Sequence, residues 1–442
     1  MIRRYGGVLT LLTALNFMNY LDRYELAAVL PRVSADLHLS NFMGGMLSTI
    51  FLVSFLITCP IFGYLGDRIP RKYLLAAGAY AWSTATIATG LSQGATSLLI
   101  ARACVGVGEA SFTTLAPTVI DDVAPMDRKA RALSIFHIAA PVGSALGYLV
   151  GGAVEKAAGW HMAFFVGGGP GLVLGTLVLF MKEPSSFKGA LADKPAALGL
   201  GATLRAFGPL RSYWRAVLGY TALTFATGGF AFWAPTFLFK RYDLPLAKAN
   251  FTFGIITVAA GALATLLGGR LGDRVMRSVP PKDAALNEKA GYRESAREEE
   301  QRRESEDDRR VRSLLRICGA GALVAAPLSL VCFLAPSAKV FFVAAFFCEM
   351  GIFLSNAPVN TALLRSVPGH LRASAMALCI TTIHFLGDLW SPPLIGKLAD
   401  TVGSAKLHLA MMPLVVAFLL AGLVWFNFRG SKAQREATAR VS

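Results

Sequence analysis

Gly63-Tyr64-Leu65-Gly66-Asp67-Arg68-Ile69-Pro70-Arg71-Lys72 recurs without a gap as Gly269-Arg270-Leu271-Gly272-Asp273-Arg274-Val275-Met276-Arg277. Each copy closes a long apolar run, 41–66 before the first and 250–272 before the second. A second pair of matches follows: Pro125 with Arg131-Ala132-Leu133-Ser134, and Pro368 with Arg372-Ala373-Ser374-Ala375. Asp67 to Arg131 is 64 positions and Asp273 to Arg372 is 99, a difference of 35, about the length of a charged stretch between 277 and 312. The chain therefore reads as two parallel copies of one unit, the second carrying one insertion, an arrangement that places a binding site between the halves near the midplane of a membrane.

The flanking runs have the length of bilayer crossings. Of 442 residues 54% are hydrophobic and 16% charged, against roughly 25% charged in soluble domains. A helix rises about 1.5 Å per residue, so some 20 apolar residues cross a core of about 30 Å. Spans are expected near 6–31, 41–66, 73–93, 96–120, 132–154, 161–181, 214–238, 250–272, 314–335, 339–362, 372–397 and 406–428. The expected fold is an all-α membrane protein of twelve transmembrane helices in two six-helix pseudo-symmetric halves. Residues 1–182 would form the N-terminal bundle, 183–213 a cytoplasmic linker, 214–430 the C-terminal bundle with a charged cytoplasmic insert over 277–312, and 431–442 a tail.

The net charge of +16 follows this topology. Arg68, Arg71, Lys72, Arg128, Lys129, Arg131, Lys182, Lys188, Arg205 and Arg211 fall in loops after even-numbered spans, and the opposite loops are poorer in cations. The positive-inside rule then puts both termini in the cytoplasm, with the chain multi-pass in a bacterial inner membrane and acting as a monomer. Nucleic-acid binding is not expected, because the cations sit in short loops between apolar blocks. The first apolar run is too long for a signal peptide. Six cysteines in apolar segments, with no CxxC pair, suggest neither zinc nor a disulfide framework.

The insert contains Ala296-Arg297-Glu298-Glu299-Glu300-Gln301-Arg302-Arg303 and continues to Arg312. Glu298–Arg302, Glu299–Arg303, Glu306–Arg310 and Asp308–Arg312 are i,i+4 pairs with the acid first, the favourable order on a helix. A charged helix on the cytoplasmic surface is expected over 282–312; a disordered linker is the alternative. Gly143, Gly147 and Gly151 form a small-residue stripe, for static packing or for a rocking contact between the halves.

Charges at bilayer depth cost roughly 2.5–3.5 kcal/mol each on insertion scales and so have partners or line water. Span 1 holds Asp22 and Arg23; span 4 holds Arg102 and Glu109. Asp22 lies about 24 Å along span 1 and Arg102 about 9 Å down the oppositely directed span 4, nearly one level. Asp22 and Arg102 can meet, with Glu109 two turns deeper on the same face as Arg102. A carboxylate beside an arginine stays ionised, whereas one in an apolar cavity is protonated more readily. Asp22 and Glu109 are assigned to proton coupling, with Arg102 as their partner or as a contact for a substrate anion; a static ion network tying spans 1 and 4 is the alternative. Cavity candidates are Asn19, Tyr20, Arg23, Glu349 (nearly the repeat counterpart of Glu109), and His384 and Asp388, an i,i+4 pair in span 11.

The loop motif resembles the G-x-x-x-D-R-x-x-R-K signature of the major facilitator superfamily. Its gating residues fall on Gly63, Asp67, Arg68 and Arg71, and in the second copy on Asp273 and Arg274. The glycines permit close helix approach, and Asp67 can face the positive N-terminus of a helix, by resemblance that of span 11. Arg68 and Arg71 can pair with Asp121 or Asp122, and Pro70 stands where the signature has glycine. Asn19-Tyr20-Leu21-Asp22-Arg23, Arg102-Ala103-Cys104-Val105-Gly106-Val107-Gly108-Glu109, Pro141-Val142-Gly143-Ser144 and His384-Phe385-Leu386-Gly387-Asp388 resemble spinster-type transporters. The resemblance covers roughly 6–430. It implies movement of lysolipids or sphingoid phosphates, and places Asp22, Arg102 and Glu109 on the family's proton-coupling positions.

The expected function is a proton-coupled secondary active transporter, symporter or antiporter, moving an amphiphilic anion by alternating access. A carrier of a small polar organic anion or drug would call for more cavity cations than Arg23 and Arg102. A non-transporting receptor signalling through 282–312 is a third reading, disfavoured by gating motifs in both halves. No nucleophile–base set, metal cluster or phosphate loop implies an enzyme, a cofactor or an ATP-driven pump.

Overall fold

The computed structural model describes residues 5–125, 128–181, 207–277, 296–367 and 371–426, the side chains of 130, 296–305, 373 and 404 excepted. Helix forms within every stretch expected to be a span: α1 (Tyr5–Asp36), α2 (Asn41–Gly66), α3 (Arg71–Gly90), α4 (Ala95–Val123), α5 (Lys129–Ala158), α6 (Trp160–Leu179), α7 (Arg211–Tyr242), α8 (Leu246–Arg277), α9 (Ala296–Leu334), α10 (Ala338–Phe353), α11 (Asn356–Arg365), α12 (Arg372–Ile383), α13 (Ser391–Val402), α14 (Leu407–Ala410) and α15 (Met412–Phe426). Among the described residues nine helical stretches are long and apolar enough to cross a membrane. Large apolar side chains such as Ile57, Ile61, Val173, Leu266 and Val343 point outward, as a lipid-facing surface requires.

Two sequence expectations are corrected here. The second copy of the repeated motif is no loop: Asp273 and Arg274 lie exposed in the last turns of α8, which runs on to Arg277. The first copy ends its helix at Gly66, because Pro70 disfavours helix at Ile69, and Met276 in the second copy imposes no such stop. The insert is also no separate helix. Its described part, from Ala296, is the start of α9, which continues into the apolar run to Leu334, and no glycine or proline interrupts 296–318. Arg310 pairs with Glu306 at 3.7 Å, whereas Arg312 donates to the Asp308 backbone carbonyl at 3.2 Å. The Asp308 carboxylate instead accepts from Ser212; 282–295 and the pairs Glu298–Arg302 and Glu299–Arg303 lie outside the described residues or side chains.

Within the first group of helices α1 packs on α5, α2 and α3 on α4, and α3 on α6; within the second α9 packs on α10 and α15, and α7 on α15. The stripe Gly143, Gly147, Gly151 faces α1, against the Phe17 and Leu21 carbonyls and the Ala28 side chain. It is therefore static packing inside one group. The adjoining surface of α5 meets the second group: Gly152 lies against Asn250, and Tyr148 donates to the Ala231 carbonyl at 2.8 Å.

The two groups meet through α2 with α13, α5 with α8, and α1 with α7. The stitching bonds lie from mid-helix toward the end opposite the basic loops, here termed the far end. Thr49 donates to the Leu389 carbonyl (2.7 Å), Asn250 to the Ala28 carbonyl (2.9 Å) and Lys240 to Asn41 (3.0 Å). Asp400 of α13 accepts from the backbone N–H of Asn41 (3.0 Å) and of Phe42 (2.8 Å) and from the Asn41 amide (2.6 Å). These are unsatisfied donors of the first turn of α2, at the positive end of its dipole. Gly45 lies directly on the backbone of Pro392 and Pro393, and Gly396 on that of Asn41, so any β-carbon there would part the helices.

Candidate functional site: a buried charge cluster at the group interface

α1 contributes Asn19, Asp22, Arg23 and Glu25 within two turns, and α4 contributes Arg102 and Glu109 from one face. Asn19, Asp22, Glu25, Arg102 and Glu109 are each at most 2% exposed, and the Arg23 side chain is 19% exposed. Arg23 Nε donates to Glu109 Oε2 at 2.5 Å, with Asn19 beside the same carboxyl. The Arg23 guanidinium lies 5.1–5.2 Å from the ring centres of Tyr20, Phe51 and Phe55. The Arg102 guanidinium lies 5.2 Å from the ring centre of Phe51 as well, so one ring serves two cations.

The partner of Glu109 is thus Arg23, where the sequence had offered Arg102. Depth along a helix locates Cα atoms, whereas an arginine head travels on a long stem. Arg102 stands within electrostatic reach of Asp22, Glu25 and Glu109, yet Asp22 takes its hydrogen bond from Thr86 of α3 at 3.3 Å. Glu25 was missed by sequence reading; its signal was its place one turn beyond Asp22 on the same face.

Across the interface, span 11 breaks. A π-turn over His384–Asp388 with a non-helical Gly387 (φ −104°, ψ −105°) joins α12 to α13, and Pro392 follows as the helix restarts. Proline lacks the N–H that would carry the helix through, and such breaks cluster at functional positions. His384 Nδ1 and Asp388 are 3.0 Å apart, both half-buried, and the Asp388 side chain rests on Gly228 of α7. Tyr24 and Tyr220 lie within electrostatic reach of Asp388, giving a polar wall opposite Tyr20 and Arg23. Glu349 is 4% exposed and accepts from Thr257 at 3.0 Å. It is enclosed between α8 and α10, and its partner is a hydroxyl where its counterpart Glu109 has a cation.

At the basic end Arg71 pairs with Asp122 at 2.7 Å, one of the two acids expected, and Lys129 takes Asp121 at 2.8 Å. Arg68 pairs with neither: it folds over the Tyr64 ring at 3.5 Å and donates to the Tyr64 carbonyl. Gly63 faces Thr114, Gly66 lies against Leu115, and Asp67 takes the C-cap position of α2. The six cysteines are free thiols.

Residues 12–387 match the model of the Major Facilitator Superfamily. Protein spinster homolog 1 of Homo sapiens is 34% identical over 420 residues, covering 90% of this chain and 73% of that protein. The sphingosine-1-phosphate transporter SPNS2 of Mus musculus is 31% identical over 464 residues, covering 96% of this chain and 78% of that protein. In fold the chain resembles the crystal structure of a bacterial homolog to the human lysosomal transporter spinster, in an inward-facing and unoccupied conformation: TM-score 0.78, 20% identity, 96% of each chain covered. The chain belongs to the spinster family of the Major Facilitator Superfamily, and is a multi-pass membrane transporter rather than an enzyme.

Proposed function

We propose that the protein is a proton-coupled secondary transporter of an amphiphilic anion, a lysophospholipid or a sphingoid-type phosphate, working by alternating access between two six-helix halves of a twelve-span bundle. The halves are 1–182 and 214–430. The basic end faces the cytoplasm by the positive-inside rule, so the stitched far end makes the described conformation closed to the outside. The substrate class rests on SPNS2, described as a sphingosine-1-phosphate transporter, and on the outline of the site: one reachable cation beside Tyr20, Phe51 and Phe55 suits an anionic head with an apolar body.

The observation that carries the reading is the Arg23–Glu109 pair. Arg23 is the partly exposed member and Glu109 the fully buried one. An anionic head entering beside Tyr20 competes with Glu109 for Arg23. Once Arg23 turns to the substrate, Glu109 loses its counter-ion in apolar surroundings, where a carboxylate binds a proton. Anion and proton are then taken up together, and the charge of the core is unchanged. Departure of the anion returns Arg23 to Glu109 and expels the proton.

The test is reconstitution in liposomes holding a pH dye, with sphingosine-1-phosphate or lysophosphatidate added outside. Wild type should show proton movement that depends on the added lipid, and Glu109→Gln should abolish it, Gln imitating the protonated acid permanently. Unchanged proton movement in Glu109→Gln would end this assignment. Response to a sugar acid with none to any lysolipid would replace the amphiphile by a small polar anion.

A further inference from the structure

We propose that Glu25 is a third carboxyl of the coupling centre and that it shares one proton with Asp22 in the conformation described. This rests on the proton-coupled reading above and adds to it a resident proton, distinct from the one Glu109 exchanges.

The core between α1 and α4 holds three carboxyls, Asp22, Glu25 and Glu109, against two guanidiniums, Arg23 and Arg102. All are buried except the edge of Arg23. With every group ionised the cluster carries one uncompensated negative charge. An unpaired buried ion carries a large desolvation penalty, and a single proton removes it.

Geometry says where that proton resides. Glu109 has its cation, Arg23, in direct contact. Asp22 Oδ1 and both oxygens of Glu25 are buried and accept no hydrogen bond within the described residues. Asp22 Oδ1 and Glu25 Oε2 press on the same point of α6, the face of Gly167, where a β-carbon would collide with both. Two carboxyls brought to one point cannot both be charged, and the stable arrangement is one proton between them.

The neighbours supply no other neutraliser. From α4 come Arg102 and Glu109, already counted. From α3 comes the Thr86 hydroxyl, given to Asp22 Oδ2. α5 presents Gly147 and Gly151, and α6 presents Gly167. From α8 the Asn250 amide is committed to the Ala28 carbonyl. Three glycines on two helices thus make room for the Glu25 side chain without adding a charge or a donor.

The experiment is infrared spectroscopy of the purified full-length protein, following the carbonyl stretch of a protonated carboxyl while pH is raised. Glu349→Gln serves as background, because it removes the buried acid of the other group whose partner is a hydroxyl and not a cation. The background protein should show one such band at neutral pH, and Glu25→Gln added to it should lose the band entirely, as should Asp22→Asn, because in either case the charges then balance. Glu25→Asp should keep it, shifted. Should Glu25→Gln fail to fold, the Asp22→Asn and Glu25→Asp spectra carry the same comparison. A band that persists in Glu25→Gln and Asp22→Asn alike overturns the proposal. So does the absence of any band together with stabilisation by sodium ions, since a bound cation would then be the neutraliser. The two readings fail separately. Lipid-driven proton movement with a band indifferent to Glu25 leaves coupling standing and removes the shared proton. A band abolished by Glu25→Gln without lipid-driven proton movement does the reverse.

Discussion

The two groups of helices carry copies of one sequence motif, yet they bury charge in different ways. The first holds Asp22, Arg23, Glu25, Arg102 and Glu109 in one core. Of the second group's buried acids, Glu306 pairs with Arg310 at the basic end, and Glu349 is bonded to Thr257 at the position nearly equivalent to Glu109. The second has instead a broken helix, with a π-turn at His384–Asp388 and prolines where α13 begins. Coupling chemistry needs opposed charges that can exchange partners, and among the described residues the first group gathers five of them in one buried core. Rocking against a partner needs a helix that can bend, and the second group supplies it. Under the proposed function one copy is specialised for charge and the other for movement, and the repeated motif persists in both.

The sharpest way to break this division is to remove one charge from the first group. Arg23→Leu leaves Glu109 buried without its counter-ion, and stripping one member from a buried pair costs about 3–5 kcal/mol. We expect a large fall in thermal stability, with most of it regained in Arg23→Leu/Glu109→Leu, as a double-mutant cycle on thermal unfolding would show. Equal stability of wild type and Arg23→Leu would mean that the pair is loose, and the contrast between the groups would lose its basis.

Next in size is Gly167→Val. The new side chain enters the space that Asp22 and Glu25 occupy, and overpacking a filled core costs about 1–3 kcal/mol. The same change at Gly169, with nothing within 4 Å of its β-position, should be near neutral. Paired melting curves check this. Equal curves for the two variants would show that the carboxyls can retreat from α6.

Much of this architecture was legible in the residues. The paired motifs gave the repeat, hydropathy gave the helical stretches, and Arg71 found one of the two acids expected for it. Asp22, Arg102 and Glu109 gather as their depths along α1 and α4 require. What escaped depended on side-chain reach and on contacts between distant segments. Arg23, and not Arg102, takes Glu109. Glu25 looks like an ordinary acid until Gly167 is seen to make room for it. Asp400 reads as a loop-side acid at the end of span 11, because nothing in its neighbourhood shows that the first turn of α2 lies opposite. Arg68, for which Asp121 or Asp122 is expected, lies instead over Tyr64.

Asp400 provides the third test, since it joins the two groups directly. It accepts two backbone N–H bonds and one amide bond from the start of α2, and loss of such a cap costs about 0.5–2 kcal/mol. That energy bears on the closed far end alone. Asp400→Ala should therefore shift the conformational balance toward opening by up to about 30-fold, each 1.4 kcal/mol being a factor of ten, and leave overall unfolding little changed. Spin labels at Leu37 and Val402, read as a distance distribution, should gain a longer component. An unaltered distribution would place the closing energy elsewhere, on the Gly45 and Gly396 contacts.

Glu349→Gln is the smallest change and the one that most sharpens the comparison. Gln keeps an oxygen for the Thr257 hydroxyl and fills the same volume, and it adds an amide where Glu349 Oε2 now lacks a partner. Among the described residues no cation pairs with Glu349, unlike Glu109 of the first group. The expected cost is within about 0.5 kcal/mol, and lipid-driven proton movement should keep its wild-type rate and pH profile. Loss of proton movement in Glu349→Gln, with stability intact, would show that the second group carries a coupling acid of its own. The repeat would then be functionally symmetric, with Thr257 in the place that Arg23 fills on the other side.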